Sequence, residues 1–236
     1  MDLKAVIFDL DGVILDSFRE GLRRIRRLAS IHELPFDRET RRRLTEKWGL
    51  PGIELLMAGL NVNRPLAEKM YKQWERMDTD EPIPLVPGTR ETLYWLRRND
   101  FVKCLLTSRH KENVMFLLDR EDLVREFEVI TTRQDVPYHK PDPRVFQHSL
   151  GALAAADITL EHCVFVGDTP SDIVAGEKAG IRMLVVQTGP YHLKHAAQHP
   201  IALNDILQSI DDLPLWVEEN FTGDLTTLAP LSPSGS

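Results

Sequence analysis

The sequence predicts an α/β protein with a doubly wound parallel sheet and a helical segment inserted after the first strand. After residue 88, apolar runs typical of strands alternate with segments of helical spacing, which indicates parallel strands joined by right-handed crossovers. Between residues 17 and 84 every periodic segment has helical spacing, and none has that of a strand. We therefore expect an α/β core from residues 1–16 and 85–217 and a small all-α domain from residues 17–84. Residues 218–236 lose periodicity and end in proline, serine and glycine, which predicts a disordered tail.

Each element is predicted from the spacing of its apolar residues. Mainly apolar segments predict strands at 4–8, 102–106, 129–131, 163–166 and 183–186. Apolar residues at three- or four-residue spacing, such as Leu22, Ile25 and Leu28, predict helices. These helices span residues 21–31, 39–48, 52–60, 64–77, 88–98, 111–119, 143–153 and 171–179. The polar, proline-containing segment 78–84 is typical of a linker.

The composition is that of an ordinary soluble protein, with 42% hydrophobic and 28% charged residues. No apolar run approaches the ~20 residues that cross a bilayer, and the N-terminus shows no signal-peptide pattern. Cys104 and Cys163 stand alone in apolar runs, as buried cysteines of a reducing compartment do. The net charge of −7 disfavours a nucleic-acid partner. We expect a cytoplasmic monomer or homodimer that binds neither nucleic acid nor membranes.

The charge is distributed unevenly along the chain. The segment from Ser17 to Lys47 carries ten basic and five acidic residues. One interpretation is a solvated helical face. The other is a basic surface that attracts anionic substrates.

Two aspartates follow the first predicted strand. Asp9 and Asp11 lie two residues apart, after an apolar run and directly before Gly12. In an extended chain such residues project to the same side, and open α/β sheets bind ligands at their carboxyl edge. Two carboxylates so close repel each other unless a cation or a shared proton relieves them. The pair indicates a metal or catalytic site, the alternative being a cap for the following helix.

Three later segments place polar residues at the same predicted edge. Thr107 and Ser108 follow the second strand, Lys140 precedes a helix, and Asp168 and Asp172 follow the strand at 163–166. Each has an ordinary structural explanation, as a helix cap or a surface lysine. Together with the first two aspartates, however, they supply four carboxylates, one lysine and two hydroxyls. That set suits phosphoryl transfer with a hard divalent cation.

In this pattern the chain resembles the haloacid dehalogenase-like hydrolase superfamily, in its phosphoglycolate-phosphatase-like branch. The four motifs of the family occur in order, and the resemblance extends to about Leu215. The matching segments are Asp9-Leu10-Asp11-Gly12-Val13, Thr107, Lys140, and Gly167-Asp168 with Asp172. The resemblance implies a Rossmann-like core, and it makes the helical insert the type 1 cap of the family.

The resemblance also implies catalytic roles and an Mg2+ cofactor. Asp9 would attack phosphorus and form an aspartyl-phosphate, and Asp11 would act as general acid and base. Mg2+ would be bound by the carboxylates of Asp9 and Asp168 and by the backbone carbonyl of Asp11. Asp172 would orient the waters of the metal, or Lys140, rather than bind the metal directly.

Phosphate binding is assigned in the same way to Thr107, the amide of Ser108 and Lys140. Lys140 would also offset the charge of the carboxylates. In this family the cap selects the leaving group. The cap residues expected to contact the substrate are Arg19, Arg23 and Lys47.

The expected function is hydrolysis of a small phosphorylated metabolite, a phosphoglycolate-like or sugar phosphate monoester. The alternative within the family is a β-phosphoglucomutase-like phosphotransferase, which shares Asp11-Gly12-Val13. That branch has Glu-Asp where this chain has Gly167-Asp168, and a cap histidine where this chain has Gly21. A non-catalytic binding module on the same fold is the third interpretation. The retention of every catalytic residue type disfavours it.

Overall fold

The computed structural model describes residues 3–191 and 201–221. Six parallel strands in these ranges form one sheet in the order β3-β2-β1-β4-β5-β6. They are β1 (Ala5–Phe8), β2 (Val102–Leu106), β3 (Val129–Thr131), β4 (Cys163–Gly167), β5 (Arg182–Val186) and β6 (Ile206–Leu207). β1 pairs with β2 on one side and β4 on the other, and all four of its residues are buried. Its uninterrupted apolar run is typical of a strand that is covered on both faces.

Helices cover both faces of the sheet, so the doubly wound α/β class is confirmed. The helices are α1 (Ser17–Ile31), α2 (Arg38–Glu46), α3 (Gly52–Leu60), α4 (Arg64–Asp80), α5 (Thr89–Arg98), α6 (Lys111–Arg120), α7 (Gln147–Ala154), α8 (Pro170–Ala179) and α9 (Leu213–Asn220). Val6 and Phe8 of β1 belong to the apolar cluster that includes α5, α6 and α9. Ala5 and Ile7 belong to the cluster on the other face, with α7 and α8. This alternation follows from the two-residue period of a strand.

The insert between β1 and α5 consists of α1 to α4 and has its own apolar core. Leu22, Ile25 and Leu28 of α1 pack in one cluster with residues of α2, α3 and α4. Asp37 caps α2 by accepting a hydrogen bond from the Thr40 amide at 2.8 Å. Each helix buries only one stripe, so the four helices stabilise one another as a separate layer.

Several element ends differ from the sequence prediction. α1 begins at Ser17, four residues earlier than the periodicity indicates, and α4 continues to Asp80, into the segment expected to be linker. The helix predicted from Pro143 begins as a 3-10 turn (Pro143–Phe146). The sequence pattern predicts neither β6 nor α9.

The expected disordered tail from residue 218 is wrong at its start. α9 continues to Asn220 because Trp216 and Val217, on its inner side, are buried in the core. The remainder of the predicted tail, residues 222–236, lies outside the described residues.

Both cysteines lie in the core of the described chain. Cys104 and Cys163 are buried and unbridged, and burial raises the pKa of Cys104 to about 12. Within residues 3–191 and 201–221, no helix has the length and apolar character needed to span a membrane.

Candidate active site

Four loops bring polar side chains to the carboxyl edge of the sheet. Asp9 follows β1, Thr107 follows β2 and Asp168 follows β4, and the loop after β3 carries Lys140. Within the sheet, Phe8 is level with Leu105 of β2 and Val166 of β4. The loops therefore leave the sheet at the same height, and their side chains meet.

Lys140 joins two carboxylates at the centre of this site. Its Nζ lies 2.9 Å from Asp9 Oδ1 and 2.6 Å from Asp172 Oδ1. The Leu10 amide donates a further hydrogen bond to Asp9 Oδ1 at 2.8 Å. Lys140 thus orients Asp9 and neutralises part of the negative charge around it.

Asp172 also holds the loop that carries Asp168. Its Oδ2 accepts hydrogen bonds from the Thr169 amide at 2.9 Å and the Thr169 hydroxyl at 2.6 Å. Thr169 is the N-cap of α8, and the two residues form a capping box. Asp172 therefore combines the ordinary capping role with a contact to Lys140.

Asp168 completes a cluster of three carboxylates. One oxygen each of Asp9, Asp168 and Asp172 lies within 4.8 Å of the others. Asp168 Oδ1 is buried and has no hydrogen-bond partner among the described residues. A buried carboxylate oxygen without a partner is destabilising, and Mg2+ prefers oxygen ligands. The side chains present therefore fit a Mg2+ ion held by Asp9 and Asp168.

The environment of the cluster disfavours ionised carboxylates in the absence of a metal. Burial raises the pKa of Asp9 to about 7, against the opposing charge of Lys140. Burial, with the charges of Asp172 and Asp9, raises the pKa of Asp168 well above its ordinary value. Burial disfavours the charged form of Lys140, but Asp172 and Asp9 outweigh it and raise the Lys140 pKa. Lys140 is therefore an ammonium, and its single charge does not balance three carboxylates.

Asp11 is paired with an arginine to which the sequence analysis gives no role. β1 ends at Phe8, and Asp11 lies in a tight turn in which the Ile14 amide donates to the Leu10 carbonyl. Arg109 Nε and Nη2 each donate to one oxygen of Asp11 at 2.7 Å. Burial would raise the pKa of Asp11, but the charge and hydrogen bonds of Arg109 hold this pKa below its ordinary value. The signal for Arg109 in the sequence is its place directly after Thr107 and Ser108.

Thr107 and Ser108 line a small cleft beside Lys140. Thr107 is buried, whereas Ser108 is exposed. The Thr107 hydroxyl accepts a hydrogen bond from the Arg109 amide at 3.2 Å. An anion in this cleft meets hydroxyl groups and the Lys140 ammonium, which suits a phosphate group.

Two glycines make room for Asp168. A Cβ at either Gly12 or Gly189 would overlap the Asp168 carboxylate, and Gly12 has φ +77°, a conformation that favours glycine. The Thr188 hydroxyl donates to the Gly12 carbonyl at 2.5 Å. The loop after β5 therefore closes over Asp168. This loop gives no signal in the sequence, because threonine and glycine after a strand are ordinary turn residues.

The three cap residues expected to bind substrate have different surroundings. Arg19 is exposed and lies 3.4 Å from Asp16. Arg23 makes two hydrogen bonds of 2.7 Å to Glu20 and one of 2.9 Å to Glu81. Lys47 is exposed in the turn after α2. In the part of the chain that the structure describes, none of the three contacts Asp9, Lys140 or Asp168.

The comparison with protein families decides which family this arrangement represents. The sequence profile of haloacid dehalogenase-like hydrolases matches residues 6–186, a range that begins in β1 and ends with β5. The chain belongs to this family. A phosphoglycolate phosphatase from Pseudomonas savastanoi pv. phaseolicola is 30% identical, covering 96% of this chain and 83% of that protein. The phosphorylated carbohydrates phosphatase of Thermotoga maritima is 28% identical, covering 77% of this chain and 84% of that protein.

Solved structures agree with this haloacid dehalogenase-like assignment. A candidate beta-phosphoglucomutase from Thermotoga maritima superposes with a TM-score of 0.72 at 25% identity, covering 93% of this chain and all of that one. A hydrolase from Pseudomonas syringae superposes with a TM-score of 0.67 at 24% identity, covering 93% of this chain and 100% of that one. With the curated relatives, the family makes this protein an enzyme, a hydrolase of the phosphatase type.

Proposed function

We propose that this protein is a Mg2+-dependent phosphatase that hydrolyses a small phosphate monoester through an aspartyl-phosphate on Asp9. One observation carries the proposal: Lys140 holds the buried Asp9 carboxylate in one cluster with Asp168, one oxygen of which has no hydrogen-bond partner among the described residues. A nucleophile and a cation site thus share one cluster. The named substrates of the relatives support a phosphoglycolate-like or sugar phosphate substrate. A cytoplasmic location and a monomeric or dimeric state stay predictions of the sequence.

The mechanism follows from what each side chain contacts. Bound Mg2+ would supply positive charge for the phosphate oxygens and for the Asp9 and Asp168 carboxylates. Lys140 keeps Asp9 in the orientation and charge state of a nucleophile, and it holds the transferred group together with Thr107 and Ser108. Asp11, at the solvent side, takes up a proton from solvent once Arg109 releases it, gives that proton to the leaving oxygen and later takes one from the attacking water. Each proton transfer requires an Asp11 oxygen that Arg109 has released.

The helical insert acts as a cap in this proposal. Its two connections to the core, at Asp16 and at Glu81, lie close together because the Asp16 amide donates to the Pro84 carbonyl at 2.8 Å. Two adjacent connections form a hinge, about which the cap opens for substrate and closes to exclude water. We assign Arg19 and Lys47 as cap residues that approach the substrate on closure, whereas Arg23 is held by Glu20 and Glu81 where the cap joins the core.

The β-phosphoglucomutase alternative is weaker at two positions of the structure. At Gly167 a Cβ would lie 2.5 Å from Asp172 Cβ, so the loop has no room for a glutamate. At Gly21 a Cβ would overlap the Trp48 ring, which occupies the space that a cap histidine would need. Both observations favour a phosphatase. Assaying the protein for both isomerisation and phosphate release separates the two activities.

The test of the proposal is Asp9→Asn, assayed for phosphate release from a panel of monoesters. Because an amide is a poor nucleophile, we expect a loss of at least about 1000-fold in kcat with an unchanged melting transition. EDTA should abolish wild-type turnover and Mg2+ should restore it. Mass spectrometry of wild-type protein mixed with substrate should show a phosphoryl adduct that Asp9→Asn lacks. Wild-type turnover in Asp9→Asn, or in EDTA, would overturn the proposal. Asp119→Asn, on the exposed surface of α6, is the matched control.

A further inference from the structure

The ion pair of Arg109 and Asp11 lies at the outer end of the active site. Their side chains are 24% and 31% exposed, whereas those of Lys140 and Asp9 are only 9% and 8% exposed. A monoester whose phosphate reaches Asp9 therefore has its leaving group beside this pair.

Arg109 donates hydrogen bonds to both carboxylate oxygens of Asp11, the residue that transfers protons in the proposed mechanism. Its Nε contacts Asp11 Oδ2 and its Nη2 contacts Asp11 Oδ1, each at 2.7 Å. This parallel pair of charge-assisted hydrogen bonds is the strong, directional kind. Asp11 has to leave it to reach the ester oxygen of a substrate. Something must then take the place of the Asp11 carboxylate, because an unpaired guanidinium in a half-buried site is destabilising.

Arg109 is held in place by contacts that do not involve Asp11. Its Nη1 donates to Asn113 Oδ1 at 2.9 Å. Its backbone amide donates to the Thr107 hydroxyl at 3.2 Å, and its carbonyl accepts from the Arg133 amide at 3.0 Å. The guanidinium therefore stays at the mouth of the site when Asp11 turns away. Its planar donor pair, already fitted to a carboxylate, presents the geometry that a carboxylate or phosphate of a ligand requires.

We propose that Arg109 is a specificity-determining residue, which exchanges the Asp11 carboxylate for a second anionic group on the leaving group of the substrate. The preferred substrates are phosphate monoesters that carry a carboxylate or second phosphate two or three bonds beyond the ester oxygen. Such a group pairs with Arg109 and releases Asp11 from it, so that the Asp11 carboxyl can turn to the ester oxygen. A neutral leaving group has no anionic group that could replace the Asp11 carboxylate at Arg109. The inference rests on the proposed phosphatase function and adds to it the class of substrate.

The experiment compares three small substrates on the Mg2+-loaded enzyme. Phosphoglycolate and 2-hydroxyethyl phosphate differ only in whether the end of the leaving group is a carboxylate or a hydroxymethyl group. Ethylene glycol bisphosphate carries a second phosphate in place of the carboxylate. Comparing it with phosphoglycolate shows which of the two anionic groups Arg109 prefers. The variants are Arg109→Gln, Arg109→Lys and, as the matched control, Arg90→Gln, which removes an exposed arginine paired with Glu121 on the core surface.

We expect wild type to prefer at least one of the two anionic substrates over 2-hydroxyethyl phosphate by about tenfold or more in kcat/KM. Arg109→Gln should bring this ratio close to one, mainly through a higher KM for the anionic substrate. Arg109→Lys, which keeps the charge but loses the planar donor pair, should give an intermediate ratio. Arg90→Gln should keep the wild-type ratio.

Two results would overturn the inference while leaving the proposed phosphatase intact. One is a wild-type enzyme that hydrolyses all three substrates equally well. The other is an equal loss on all three substrates in Arg109→Gln, which is the result of a merely structural ion pair. Absence of phosphate release from every monoester would instead refute the proposed function, and the inference with it. Thermal melts of the variants show whether any loss reflects unfolding.

Discussion

Asp168→Asn tests the metal site without any substrate, because it removes one of three crowded carboxylates. Two unit charges at 4.8 Å, the limit for the cluster, repel by about 3 kcal/mol at an effective dielectric constant of 20. Asp168 faces two such charges, and Lys140 offsets about one of them. Burying the new amide costs about 1–2 kcal/mol, which reduces the stabilisation gained by removing the charge. The metal-free variant should therefore be more stable than metal-free wild type by about 1–2 kcal/mol at pH 8.

The sign of the pH dependence follows from the raised pKa of Asp168. Between its unfolded and folded pKa values the folded protein keeps a proton that the unfolded chain has released. The free energy of unfolding of metal-free wild type therefore falls as pH rises through this interval, up to the folded pKa. The advantage of Asp168→Asn should grow over the same interval and vanish at about pH 4.

The assay is a thermal melt with and without Mg2+. A stability difference of 1 kcal/mol shifts the Tm of a domain of this size by about 2–4 °C, so metal-free Asp168→Asn should melt about 2–8 °C above wild type. Mg2+ at 100 times its Kd stabilises wild type by about 2.7 kcal/mol, or about 5–11 °C. Asp168→Asn should lose this response, and the exposed-surface control Asp119→Asn should keep it. A variant that melts no higher than wild type and still responds fully to Mg2+ would show that the cluster is not the metal site.

Two further predictions concern the surroundings of the site. Gly189→Ala places a methyl group against the Asp168 carboxylate. We therefore expect Mg2+ affinity, measured by calorimetric titration, to fall about 10-fold or more. Unchanged affinity would mean that the loop after β5 moves to make room for the methyl group without displacing Asp168. Neutralising Arg19 and Lys47 together should lower kcat/KM for the preferred metabolite more than for an aryl phosphate, which uses only the core phosphate site. Arg23→Gln should mainly lower the Tm, because Arg23 contacts Glu20 and Glu81 at the base of the cap, and a selective loss on the metabolite would instead make Arg23 a substrate residue.

Two strands could be predicted closely from the sequence. β2, at Val102–Leu106, and β3, at Val129–Thr131, match the predicted bounds, because polar or turn residues follow each segment directly. α3, at Gly52–Leu60, matches for the same reason. The sequence pattern does not predict elements whose existence or length depends on tertiary packing. β6 has only two residues, too few for any period, and α4 continues to Asp80 through residues that look like a linker.

The candidate site, too, could be predicted from the sequence only in part. The meeting of Asp9, Lys140 and Asp168 could be expected because parallel strands end at one edge, which is a property of topology. The pairing of Arg109 with Asp11 could not, because it joins residues 98 positions apart through side-chain conformations. The basic run was open to two interpretations for the same reason. Arg23 and Arg27 both contact Glu81, more than 50 positions away, so part of that run is an ion-pair network at the hinge.

Several departures from ordinary folding rules meet at one carboxylate of the described residues. Asp168 is buried with an oxygen that has no partner among the described residues, and its pKa is raised by burial and by neighbouring carboxylates. Gly12 and Gly189 leave it the space that any larger residue would fill. Elsewhere buried charges are paired, as Arg24 is with Glu20. Burial without compensation is tolerated when a ligand completes the site, so the sheet, its central loops and both glycines stabilise a geometry that fits the proposed Mg2+ ion.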